Sequence, residues 1–350
     1  MNLELGEAVK LDAHVRQRLI RNALLSILIY AAPVLLMLLA LSIVGPKPLG
    51  SASHHTTVLE QTLTSFNAWG LGICVFLLGV VEFSLGLYEN HWTRNEKWLD
   101  MASFALPYLV VKPLTAYFGL KLLPLLLPGM RNAFDWVPFL WGFAIICVAD
   151  DLTQYWYHRL HHEIPWLWRF HRTHHSAPYM GMAMSNRQNL IYTIFFSQMY
   201  LTSALTYFGL GVPAIFVLAL KSGIVAGAHS SIPWDRPLYE HRFLHPLAWV
   251  LERFISTPAT HQAHHADTAD DGVGYYKGNF GNMFFLWDVI FGTAHISRRY
   301  PTSYGISHYE GDEWYAQLLW PIFKSKVEGS ELAPGGPMVR VERTSRSASA

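Results

Sequence analysis

Six histidines fall within eighteen residues, His158, His161, His162, His171, His174 and His175, and a triplet, His261, His264 and His265, follows about ninety residues later. Residues three and four apart on a helix share one face, so His158 and His162 point the same way. The same holds for His171, His174 and His175, and for the last triplet. Eight imidazoles on three short faces exceed what one ion needs, because a tetrahedral zinc takes four protein ligands, or three and a water. The pattern therefore predicts two metal ions. Imidazole suits iron, copper, nickel and zinc alike, so ligand type leaves the metal open. Cys74 and Cys147 both stand in apolar runs away from the histidines, which removes thiolate ligands and a disulfide framework.

Further candidates surround the three groups. His229 ends an apolar run, and His241 and His245 form an i, i+4 pair sixteen residues before the last triplet; all three are candidate ligands. His161 lies off the face of His158 and His162, which suits it to hydrogen bonding behind the ligands. Asp151 is the leading carboxylate for that outer role, since a metal-bound imidazole usually donates its other N–H to a carboxylate or carbonyl.

The elements that must position these residues are helical. The 350 residues are 51% hydrophobic, 14% aromatic and only 15% charged, the composition of a membrane protein. Apolar stretches near the bilayer length of about twenty residues run over Asn22 to Val44, Ala68 to Tyr88, Phe104 to Leu127, Trp136 to Ala149 and Leu190 to Ala228. The last folds as a hairpin turning at Gly209 to Pro213, because glycine and proline punctuate helices. About six membrane segments result. Lys112, Pro113, Lys121 and Pro124 make the third stretch a candidate for a kinked or re-entrant segment. Trp136 to Ala149 continues as helix through His162 until Pro165 stops it. The aromatics from Trp166 to Phe170 suit interface anchoring. Thr257 as N-cap and Pro258 at the first helical position start the helix carrying His261.

Lys10, Arg16, Arg18 and Arg21 precede the first stretch and place its start in the cytoplasm, and Arg94 and Lys97 return to that side. Counting passes brings every histidine group to the cytoplasmic face. The chain divides into a cytosolic segment 1–21, membrane segments 22–135, a catalytic region 136–300 that includes the hairpin 190–228, a cap segment 301–323 and a disordered tail 324–350 rich in Gly, Pro, Ser and Arg. The fold class is all-α, a polytopic membrane protein with a cytosolic helical cap holding a dinuclear metal site.

A net charge of +1 gives no basis for a nucleic-acid partner. No dinucleotide fingerprint, P-loop or nucleophile elbow occurs. A membrane metal-binding or transport protein is one class that such histidines fit. A transport path places metal-binding groups inside the spans, whereas the histidine groups here flank them.

The stretch from Asp151 to His162, the group His171 to His175 and the stretch Thr257 to His265 resemble the histidine boxes of the fatty acid hydroxylase and sterol desaturase superfamily, integral-membrane di-iron enzymes. The segment from Gly278 to Thr293 is similar to that family's Trp-Asp-x-x-Phe-Gly-Thr ending, carried here by Trp287 to Thr293. His229 with Ser230 resembles a His-Ser element of some members, and His241 with His245 the His-x-x-x-His pair of others. The resemblance covers Phe139 to Thr293. It implies a mushroom-like helical membrane domain and two iron ions, for which zinc substitutes on purification. It also implies O2 as co-substrate and hydroxylation or desaturation of a lipid or sterol-like substrate at an unactivated C–H bond. The chain carries no haem, flavin or iron–sulfur motif, so electrons come from an external partner: a cytochrome b5-like protein, a ferredoxin or a reductase.

Overall fold

The computed structural model describes residues 77, 79–87, 90–196, 198–307, 309 and 311–337. The expected segments 1–21 and Asn22 to Val44, most of Ala68 to Tyr88, and the end of the tail lie outside them. The described residues are helical, with no strand beyond one isolated bridge between Ala266 and Tyr304.

The first long helix, α1, runs Arg94–Leu126. Thr93 caps it, its side chain accepting from the Glu96 N–H. The expected kink is absorbed differently. Two π-helical turns, Pro107–Val111 and Phe118–Leu122, each end just before a proline, Pro113 and Pro124. A proline ring clashes with the carbonyl four residues back. Those carbonyls, of Leu109 and Leu120, fall in the widened turns, so the helix stays continuous.

Helix α2, Phe139–Glu163, joins membrane-type and histidine-bearing sequence in one rod of 25 residues, about 37 Å long. Its first half exposes Leu140, Trp141, Ile145 and Val148. Ile164 breaks it, and Pro165 opens α3, Pro165–His175, where a missing N–H costs nothing. The hairpin forms as expected: α4, Gln198–Tyr207, turns through Gly209 at φ 96° into α5, Gly211–His229. A side chain on Gly209 would stand 2.9 Å from the Asp135 nitrogen, so the close approach as well as the φ requires glycine. Among the described residues, two helices are long and apolar enough to cross a membrane, α1 and α5.

Helices α2 and α5 pack through Ile146, Cys147, Ala214 and Val217, with Met283 closing the cluster. Lys221, absent from the sequence expectations, lies on α5 with its Nζ 2.8 Å from Asp150 and 3.7 Å from Asp151 of α2. Buried charges persist when paired, and this pair fixes the two helices in register. Beyond the hairpin the described residues include α6, His245–Phe254; α7, Pro258–His264; α8, Leu286–Phe291; and α9, Trp314–Leu319, besides shorter helical turns.

The segment expected to begin the disordered tail is folded as far as Pro337. Leu332 is fully buried against Phe170, Tyr192 and Trp320, and Arg169 donates to the Gly336 carbonyl. A single buried leucine and these backbone contacts override the tail's polar composition.

Candidate metal centre

Four helix ends meet at one place: the end of α2 with His158 and His162, α3 with His171, His174 and His175, the last residue of α5, His229, and α7 with His261 and His264, followed by His265. Their ring nitrogens form two groups. His158, His162, His171, His175 and His264 make one, and His174, His229, His261 and His265 the other, with the donor atoms of each group within 4.8 Å of one another. None of the nine is more than 5% exposed. The groups lie side by side because His174 and His175, and again His264 and His265, are chain neighbours that divide between them. The His175 and His265 rings stack at 4.3 Å across the divide.

The tautomers are set by backbone carbonyls. His158 Nδ1 donates to the Phe280 carbonyl at 2.7 Å, His264 Nδ1 to Gly278 at 2.7 Å, His229 Nδ1 to Val225 at 2.8 Å and His174 Nδ1 to Arg187 at 3.2 Å. A carbonyl only accepts, so in each neutral ring the proton sits on Nδ1 and the lone pair on Nε2. The lone pairs then face one another: His158 and His264 Nε2 are 3.1 Å apart, and His174 and His229 Nε2 3.2 Å. Burial keeps these rings neutral, drawing His158 down to about 4 and His174 and His264 well below the ordinary histidine value. Two neutral acceptors at that distance repel. With metal–imidazole bonds of about 2.0–2.1 Å, donors so spaced can share one ion. His162 and His265 each carry a buried Nε2 with no hydrogen-bond partner, a further sign that the pocket is shaped for a cation.

The loop supplying the Phe280 and Gly278 carbonyls is itself clamped. Asp288 accepts from the Phe280 and Gly281 N–H groups at 2.8 and 2.6 Å and from the Thr293 hydroxyl at 2.6 Å. Asn279, at φ 56°, donates to the Thr260 and His295 carbonyls. Asp151 is not bonded to an imidazole, contrary to expectation. Its carboxylate accepts from Met283 N, Phe284 N and Trp287 Nε1, so it steadies the same loop from a step further out. The start of α7 agrees with expectation: Thr257 N donates to the Thr260 hydroxyl in a capping box. A remote carboxylate, Asp235, adds a bond from Ala259 N at 2.9 Å.

His241 and His245 stand outside both groups. His241 is exposed and stacks on Phe243, and His245 Nε2 faces the Tyr239 carbonyl at 3.0 Å. The i, i+4 spacing misleads here because His241 is extended, φ −102° and ψ 109°, between two short helices; the pair never shares a helical face. His161 also stays out of the groups, its Nδ1 donating to the Tyr157 carbonyl and its ring against Tyr157 and Tyr192. The aromatics expected at the interface divide: Trp166 is exposed, while Trp168 is buried against His162 at 5.1 Å and His175 at 5.5 Å.

A helical chain with apolar spans and two buried all-histidine groups defines a class of membrane metalloprotein. Residues 143–293, somewhat less than half of the chain, match the model of the fatty acid hydroxylase family, which supports the resemblance carried by the histidine boxes. It is similar to the alkylglycerol monooxygenase of Xenopus tropicalis, 26% identical over 218 residues that cover 56% of this chain and 44% of that protein. The Danio rerio alkylglycerol monooxygenase is 26% identical over 198 residues, 54% of this chain and 40% of its own length. The human one is 27% identical over 176 residues, 49% and 34% respectively. The chain thus spans less than half the length of these relatives. No solved structure matches it.

Proposed function

We propose that this chain is a di-iron, O2-dependent enzyme that hydroxylates a lipid at an unactivated C–H bond. The observation that carries this reading is the pairing of inward-facing Nε2 lone pairs, His158 with His264 and His174 with His229, at 3.1 and 3.2 Å. Nine neutral imidazoles would hold two iron ions, which supply, when bound, the activation of O2 and the oxidising power needed to break a C–H bond. The chain's own contribution is positioning and exclusion. The carbonyls of Phe280, Gly278, Val225 and Arg187 fix the tautomers, and Trp168 and Phe280 cover the rings and keep water out. The apolar faces of α1, α2 and α5 lead a lipid from the bilayer towards the helix ends that carry the histidines.

The similarity to alkylglycerol monooxygenases favours hydroxylation over desaturation and makes an ether lipid the first substrate to try. The histidines face the cytoplasm in this reading, and an external electron donor of the cytochrome b5, ferredoxin or reductase type supplies reductant. Purified protein, reductant and an alkylglycerol in detergent test the reading under isotopically labelled O2. One labelled oxygen atom in the product is expected. Product formed under strict anaerobiosis, or oxygen taken from labelled water without exchange, overturns it in favour of hydrolysis.

A further inference from the structure

The two histidine groups are held by different parts of the chain. The five-histidine group rests on the loop 278–281, clamped by Asp288. The four-histidine group is reached instead by two carboxylates that precede residue 143, where the family match begins. We propose that Glu82 and Asp100 are positioning residues for the four-histidine group and not for the five-histidine group. The proposal rests on the metal reading above.

Glu82 is fully buried. Its Oε1 accepts from the Ser230 hydroxyl at 2.6 Å and from Ser231 N at 2.9 Å, and its Oε2 accepts from Met182 N at 2.7 Å. Ser230 follows His229 directly, and its carbonyl accepts from Gln262 Nε2 at 2.9 Å. Gln262 follows His261 directly. One carboxylate thus ties together the residues next to His229 and His261, whose Nε2 atoms are 3.0 Å apart. Through Met182 it also fixes the start of the segment that ends at Arg187.

Asp100 fixes the other end of that segment. It accepts from Arg187 Nε at 2.8 Å, from Trp92 Nε1 at 2.9 Å and from the Tyr179 hydroxyl. Arg187 is fully buried, also paired with Glu96 at 2.5 Å, and its carbonyl accepts the His174 Nδ1 proton. Three of the four histidines of this group are therefore placed by a carboxylate one or two bonds away, whereas the other group meets this network only at a long contact beside His175, where Arg187 Nη1 donates to the Ser176 hydroxyl at 3.4 Å.

The test counts metal in the full chain, purified in detergent and loaded anaerobically with ferrous iron. Wild type is expected to hold about two equivalents and Glu82→Ala about one. The remaining equivalent is assigned with double variants. Glu82→Ala with His261→Ala should still hold one, whereas Glu82→Ala with His158→Ala should hold none. Should Glu82→Ala not purify as a monodisperse species, Glu82→Gln and Asp100→Asn keep the side-chain volume and are read by metal retention against a chelator. One of their two ions should then leave about 10–100-fold more readily, as for other outer partners of metal ligands. Two equivalents of unchanged retention in the variants overturn the inference alone, as does loss of both ions in parallel. A wild type that binds no metal overturns the metal reading and this inference with it.

Discussion

His158 and Phe280 lie 122 positions apart in sequence, yet His158 Nδ1 is 2.7 Å from the Phe280 carbonyl. That bond sends the His158 lone pair into the five-histidine group, and it works only while the loop 278–281 holds its shape. The loop is tight. A side chain on Gly278 would lie 2.2 Å from a Tyr275 ring carbon and 2.3 Å from the Thr293 carbonyl oxygen. Gly278→Ala is therefore expected to displace the carbonyl that orients His264, costing about 1–3 kcal/mol of stability as overpacking does. Thermal unfolding and metal content should fall together; a variant with wild-type metal content shows that the carbonyl position is not needed.

Replacing a histidine inside the groups should differ sharply from replacing one outside. His264→Ala and His261→Ala should each lose at least one metal equivalent. His241→Ala and His245→Ala should retain both, since neither ring approaches the groups. Metal loss in the His241 variant on the scale of the His261 variant contradicts the assignment of nine ligands.

Acid should unfold the metal-free protein early. The buried rings outside the spans have values lowered by desolvation, His158 and His161 down to about 4 and His171, His175 and His265 well below 6.5. As pH falls below 6.5, the ordinary value, the unfolded chain takes up protons that the folded chain refuses. Stability present above pH 6.5 is thus lost as pH falls towards about 4. Denaturant midpoints of the metal-free protein should drop steeply across that window. A flat profile is incompatible with neutral buried imidazoles.

Residues 127–138 join the end of α1 to the start of α2, at the opposite end of α2 from its histidines, so the two ends of α2 should face opposite sides of the membrane. Arg131→Cys should label only from the outer side, and Glu163→Cys and Asp270→Cys only from the cytoplasmic side; all three positions are exposed. Labelling of Arg131→Cys and Glu163→Cys from one face rules out a spanning α2.

The three histidine groups and their helices were legible in sequence because spacings of three and four encode a helical face directly. Pro165 and the Thr257–Pro258 start were legible for the same reason, as local stereochemistry. Acceptors and clamps were not. The carbonyls of Gly278 and Phe280 carry no side-chain signal, and Asp235, Glu82 and Asp100 act on residues 24 to 149 positions away. His241 and His245 show the converse failure, a helical spacing in a stretch where the backbone extends. Lys221 was hidden in an apolar run, its presence there explained by Asp150 and Asp151 on the facing helix.

The loop that orients His158 and His264 also sets a timetable. A growing chain exposes its first six clustered histidines well before residues 278–280 leave the ribosome, and until then His158 lacks the acceptor that fixes its tautomer. The early histidines can bind ions adventitiously but cannot form the paired arrangement. On the proposed metal reading, the centre would therefore be completed only after the loop 278–281 is made, and its ions would be taken up by the nearly finished chain.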